Sequence, residues 1–143
     1  MIDTAMFYQV ATDENIPIIL LEIPETGSMC IQTDAQNCYI GIDYDILKNE
    51  ASRRVHLAHE LGHCITGSFY NRWAAQDIRQ KHERRADKWA IEYTIPEAKL
   101  NEAVKKGYTE VWELAEHFGV TEDFMRKAVC WYKYGTLETD LYF

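Results

Sequence analysis

One pentapeptide constrains this chain more than any other feature: His59-Glu60-Leu61-Gly62-His63. Val55, Ala58, Leu61 and Ile65 make one apolar stripe around it, and Gly67 supplies a stop, so the spacing predicts a helix from about Asn49 to Gly67. Residues i and i+4 of a helix stack on one face, so His59 and His63 can aim two imidazoles at one ion. Glu60 sits about 100° round the helix, close enough to take a proton from activated water without ligating the metal itself. Two nitrogens do not complete a catalytic zinc site, which takes a third protein ligand and keeps an open position. Glu83, 20 residues after His63, is the candidate. It falls in a second helix expected from about Asp77 to Thr94, which Pro96 prevents from continuing. Asp87, one turn further, is spaced to accept a hydrogen bond from the free ring N–H of a ligating histidine.

The flanks read more simply. Met1–Thr12 is expected as a short helix with Ile2, Ala5, Met6 and Val10 on its apolar face. Ile16–Ile23, bounded by Pro17 and Pro24, reads as a strand near a sheet edge. Met29–Thr33 and Cys38–Ile42 read as a hairpin around the polar stretch Asp34–Asn37. Helices around Pro96–Lys106, Thr109–Phe118 and Thr121–Tyr132 follow, the last capped by Thr121 with Asp123 in its first turn. The expected fold is α+β: a small antiparallel or mixed three-stranded sheet packed on a helical body, with the HExxH helix at its centre. The chain reads as a single domain, 1–143. Its parts are an N-terminal helix and sheet (1–47), the helices of the zinc site (48–96) and C-terminal helices (97–143).

Charge is distributed unevenly. Residues 1–47 hold eight acids and no Lys or Arg, which accounts for the whole net charge of −8. Residues 48–96 hold nine bases to six acids, and residues 97–143 six bases to nine acids. No stretch is basic enough for a protein that binds nucleic acid mainly through phosphates, so direct nucleic-acid binding is not expected. An acidic sheet side, including Asp43 and Asp45, facing a mildly basic catalytic segment suits a basic protein partner. The longest apolar run, around Ile16–Leu21, falls far short of the roughly 20 residues that span a bilayer. With Asp3 early and no basic stretch at the N-terminus, a secretory signal peptide is not expected. The four cysteines, Cys30, Cys38, Cys64 and Cys130, show no CxxC spacing, so free, buried thiols in a reducing cytoplasm are expected.

A third histidine six residues after His63 would mark a metzincin, but that position is Phe69. HExxH with a downstream glutamate looks like a gluzincin. More narrowly, Leu57-Ala58-His59-Glu60-Leu61-Gly62-His63, followed by Glu83, Ala86, Asp87, Trp89, Ala90 and Pro96, resembles the ImmA/IrrE family of metallopeptidases. The likeness extends over most of the chain. It departs at Glu92-Tyr93-Thr94-Ile95, where an apolar run is usual. The resemblance implies zinc held by His59, His63 and Glu83, with Glu60 activating the water. It also implies a protein substrate, typically a helix-turn-helix repressor of a phage or mobile element. Tyr70 and His82 are candidates for stabilising the oxyanion by their nearness to the motifs, although His82 adjoins Glu83 on its helix and so points away from it. Cys38–Ile42 is the strand expected to pair with an extended substrate.

A competing pattern lies in the C-terminal third. Leu114-Ala115-Glu116-His117-Phe118-Gly119-Val120-Thr121, leading into Phe124, resembles a helix-turn-helix. Its second helix opens with Glu122 and Asp123, which face phosphates badly, and helix pairs of this kind are common without DNA. Three functions stay open: a zinc endopeptidase acting on a regulatory protein, a DNA binder with a vestigial zinc site, and a silent zinc domain that binds a partner.

Overall fold

The computed structural model describes residues 3–33, 35, 37–71 and 73–143. The chain runs α1 (Thr4–Asp13), β1 (Ile18–Leu21), β2 (Ser28–Gln32), β3 (Cys38–Asp43), a 3-10 turn (Tyr44–Lys48), α2 (Glu50–Thr66), α3 (Gln76–Thr94), α4 (Glu97–Lys105), α5 (Val111–Phe118) and α6 (Glu122–Tyr134). The α+β fold expected from the sequence is the fold observed. Capping explains several boundaries: Asp3 accepts from the Ala5 amide, Asn49 from Ser52 and Thr121 from Phe124. α2 closes at Gly67, whose φ of +66° favours glycine. Asp34 and Gln36 of the expected hairpin turn lie outside the described residues, as does Ile2 of the first helix.

The sheet is mixed, in the order β1-β3-β2, with β1 parallel and β2 antiparallel to β3. β3 is therefore central, with neighbours on both sides. This corrects the expectation that Cys38–Ile42 pairs with substrate: its ladder groups are taken, and β2 is the edge strand beside α2. Register puts Ser28 opposite Ile42 and Cys30 opposite Ile40. Cross-strand partners share a face, so Ser28 and Cys30 look the same way as the fully buried Ile40 and Ile42.

Those isoleucines meet Leu57, Ala58 and Leu61 of α2, and Phe7, Ala90, Ile91, Ile95, Met125 and Ala128 complete the centre of the core. Two apolar stripes differ from their expected form. Ile65 is exposed and Leu57 takes its place, because the sheet covers the earlier turns of α2. On α1 the buried residues are Thr4, Phe7 and Ala11, while Ala5 and Met6 face solvent. A short helix carries apolar residues on more than one side, and packing against α2 decides which side is covered.

The expectation of four free thiols is also corrected. Cys38 and Cys64 form a disulfide joining β3 to α2, their Cα atoms 5.9 Å apart, a separation ordinary for such a bond. Their sequence separation of 26 gives no hint of this, since only the docking of β3 along α2 brings them together. Cys30 and Cys130 are free.

Candidate metal centre

The site begins with a close helix crossing. Any side chain at Gly62 of α2 would collide with the Ala86 carbonyl of α3, so these two small residues let the backbones approach closely. Ala86 lies between Glu83 and Asp87, and the crossing delivers both carboxylates to the histidine face of α2. His59 Nε2 stands 3.0 Å from Glu83 Oε2, His63 Nε2 stands 3.2 Å from the same oxygen, and the two Nε2 atoms are 3.2 Å apart.

The outward nitrogens of both rings are engaged. His59 Nδ1 is 2.8 Å from Asp87 Oδ1, and His63 Nδ1 is 2.6 Å from the Ser68 carbonyl. Ser68 is there because the turn at Gly67 folds the chain back over the end of α2, its amide bonding to the His63 carbonyl at 3.0 Å. A ring nitrogen facing an acceptor carries the proton, which leaves the Nε2 lone pairs pointing inward. Two lone pairs and a carboxylate oxygen then converge with too few protons among them. Lys127 of α6 approaches Asp87 from behind, Nζ to Oδ2 at 3.4 Å.

The titrations reflect this crowd of acceptors. Burial pushes the His59 pKa down, but hydrogen bonds to Asp87 and Glu83 more than offset it and lift it to about 10. His63 rises as well, burial again being outweighed, here by Glu83 and the Ser68 carbonyl. Burial pushes Glu83 up, yet hydrogen bonds from His59, His63 and Tyr70 hold it well below the usual carboxylate range. The site draws in positive charge, and protons supply it when nothing else does. Donors about 2.0–2.1 Å from a tetrahedral ion stand roughly 3.3 Å apart, close to the separations observed, and two imidazoles with one carboxylate are a zinc-type set. The residues fit a zinc ion.

Glu60, 6% exposed, has different company. Ser28 Oγ donates to its Oε2 at 2.6 Å and lies 2.6 Å from His56 Nδ1. Cys30, two residues along the same face of β2, also turns its thiol to Glu60, and burial together with that carboxylate pushes the thiol pKa up. A ligand atom of Glu60 lies within 4.8 Å of those of His59 and His63. Sequence reasoning missed Ser28, Cys30 and His56. The available signal was the Ser28-x-Cys30 alternation ahead of a helix bearing HExxH.

A cleft of about 700 Å³ opens over the site. Thr26, Ser28, Met29 and Cys30 line one side, and Thr121, Asp123, Phe124 and Lys127 line the other. Tyr70 also lines it, donating to Glu83 Oε1 at 2.7 Å. That bond, reinforced by burial, raises the phenol to about 12, so it stays a donor at neutral pH. His82 stacks on the Tyr70 ring at 6.2 Å and is not among the lining residues. The structure thus brings His59, Glu60, His63, Glu83, Asp87 and Tyr70 to one cleft and leaves His82 behind it. Asp43 is held by structure, accepting from the Ile23 amide at 2.6 Å and the Asp45 amide at 2.9 Å. Among the described residues, no helix is long and apolar enough to cross a membrane.

Comparison with curated proteins finds no match. A family model described as Peptidase_M78, IrrE N-terminal-like domain, matches residues 11–129, a span that takes in the sheet, both helices of the site and most of α6. The chain belongs to this metallopeptidase family.

Proposed function

We propose that the protein is a zinc-dependent endopeptidase that cleaves a helix-turn-helix repressor of a phage or mobile element. His59, His63 and Glu83 would hold the ion. The observation that carries this reading is the convergence of the three acceptor atoms at 3.0–3.2 Å, with both Nδ1 atoms already engaged. A zinc ion bound there supplies a Lewis acid that lowers the pKa of water to roughly 7 and polarises a carbonyl. Glu60 accepts the proton of the attacking water and returns it to the leaving amine. Asp87 orients the His59 ring, and the Tyr70 hydroxyl is the donor placed to meet developing negative charge on the substrate oxygen. The lining supports a role for α6 as a cleft wall, since its first turn faces the site. In a DNA-binding helix-turn-helix that turn would face a groove. The cytoplasm is the compartment proposed.

Co-expression with a candidate helix-turn-helix repressor, wild type against Glu60→Gln, tests this by intact mass. The expected result is two new fragments with wild type only. Absence of Glu60-dependent cleavage points instead to a silent zinc domain, and a salt-dependent gel shift with operator DNA to a DNA binder.

A further inference from the structure

The Ser28–His56 pair is not a metal ligand and has no part in the reaction as set out above, yet it is built with care. Ser28 is 7% exposed and sits 2.6 Å from both Glu60 Oε2 and His56 Nδ1. A hydroxyl has one proton to give, and the Ser28 hydroxyl is the donor to Glu60 Oε2. The Ser28 proton therefore goes to Glu60, and His56 must donate from Nδ1 to the Ser28 oxygen. The bonds run in one direction, from ring to hydroxyl to carboxylate, each polarising the next.

The backbone is shaped to permit this. Gly27, at φ +82°, precedes Ser28, and any side chain there would press on His56 Cε1 and Ile46. The turn is tied down on both sides, the Gly27 amide to the Ile23 carbonyl at 2.9 Å and the Asp43 amide to the Gly27 carbonyl at 2.8 Å. Thr26 Oγ1 adds a bond to the Ser28 carbonyl at 3.0 Å. Gly27 thus serves two ends: it places Ser28 at the start of β2 and leaves room for the imidazole behind it.

We propose that Ser28 and His56 are positioning residues for Glu60, a two-link chain of hydrogen bonds that holds its carboxylate in the one orientation useful for proton transfer. The inference rests on the peptidase reading. It explains why a buried glutamate that must face a cleft is tethered from β2 rather than from its own helix. Neither residue touches His59, His63 or Glu83 through any hydrogen bond found among the described residues, so metal retention and carboxylate orientation are separable.

The test uses the zinc-loaded full chain with a proteome-derived peptide library, cleavage being read by mass spectrometry and kinetics then measured on one cleaved peptide. Ser28→Ala is expected to lower kcat by roughly 10–100-fold, the scale of an ångström-level misplacement, with KM and zinc affinity by chelator competition unchanged. Ser28→Thr, which keeps the hydroxyl, is expected to recover most of the loss. If Ser28→Ala fails to fold, His56→Ala against His56→Asn examines the same chain from its other end, since the Asn amide can stand in for Nδ1–H. Proton NMR of imidazole-labelled, metal-free protein gives a readout free of activity: a His56 Nδ1–H resonance protected from exchange, lost in Ser28→Ala. Persistence of that resonance in Ser28→Ala overturns the chain of bonds. Glu60→Gln inactive beside Ser28→Ala of wild-type kcat overturns this inference alone. Glu60→Gln as active as wild type overturns the peptidase reading and this inference with it.

Discussion

The two sides of the cleft hold their working groups by opposite means. Where α2 meets α3, His59, His63, Glu83 and Asp87 crowd acceptors together until they raise imidazole pKa values and depress carboxylate ones. Where α2 meets β2, Glu60 is met by neutral donors, Ser28 and Cys30. One side is electrically incomplete and calls for a cation, while the other is satisfied as it stands. The contrast teaches that ligating and orienting are carried by different secondary structures, and variants on each should fail in different ways.

The largest effect is expected at Glu83. Glu83→Ala removes one of three converging acceptors, and zinc affinity by chelator competition should fall by more than about 100-fold. Among the three ligands Asp87 touches only His59, at its far nitrogen, and for Asp87→Ala a loss of roughly 10–100-fold is expected, the usual scale for a group that orients a metal ligand. Equal losses from Glu83→Ala and Asp87→Ala would break the distinction between holding the ion and orienting its ligand. A comparable loss from Ser28→Ala would break the distinction between the two sides.

The same contrast explains what the sequence could reveal. His59, His63, Glu83 and Asp87 sit on two helices, and helical spacing is a local rule that places i and i+4 together without knowledge of the fold. Tyr70 was reachable by its nearness to the motif, and the helix boundaries by caps and glycines. Ser28 and His56 meet across 28 residues, through a strand register that no local pattern specifies. The central place of β3, the Cys38–Cys64 bridge and the buried side of α1 were hidden for the same reason. Strand order and docking are properties of the assembled core, and short apolar elements fit more than one arrangement.

Gly62 links the metal side to stability. Gly62→Ala would normally favour a helix by about 1 kcal/mol, but here the added methyl meets the Ala86 carbonyl, part of a backbone that cannot swing aside. Net destabilisation of about 1–3 kcal/mol is expected, the range for overpacked cores. Urea unfolding measures it, with weakened zinc binding alongside because the crossing delivers Glu83. A stabilised variant would show that α2 and α3 separate easily.

The smallest effect concerns pH, and its sign separates the two sides. His59 is lifted from an ordinary 6.5 to about 10 by Asp87 and Glu83 against the pull of burial. A raised pKa stabilises the fold fully below the unfolded value of 6.5, and that contribution is lost as pH climbs toward about 10. Glu83 and Asp87, held below their ordinary values of 4.5 and 3.8, act the other way. Their contribution is present above those values and is lost as pH falls beneath them. For this cluster the metal-free chain is therefore most stable between about 4.5 and 6.5, and its melting temperature should decline through neutrality into the alkaline range. Zinc should turn that trend around, because ligating imidazoles must shed protons and binding tightens as pH rises. Thermal melts with chelator and with zinc, at pH 6 and pH 9, decide it: the gap between the two curves should widen with pH. On the Glu60 side burial holds His56 below its ordinary 6.5, a contribution present above that value and lost as pH falls beneath it, so it takes no part in the alkaline decline. Ser28→Ala should therefore reproduce both slopes above pH 7, whereas a slope altered there would mean that the two sides titrate as one.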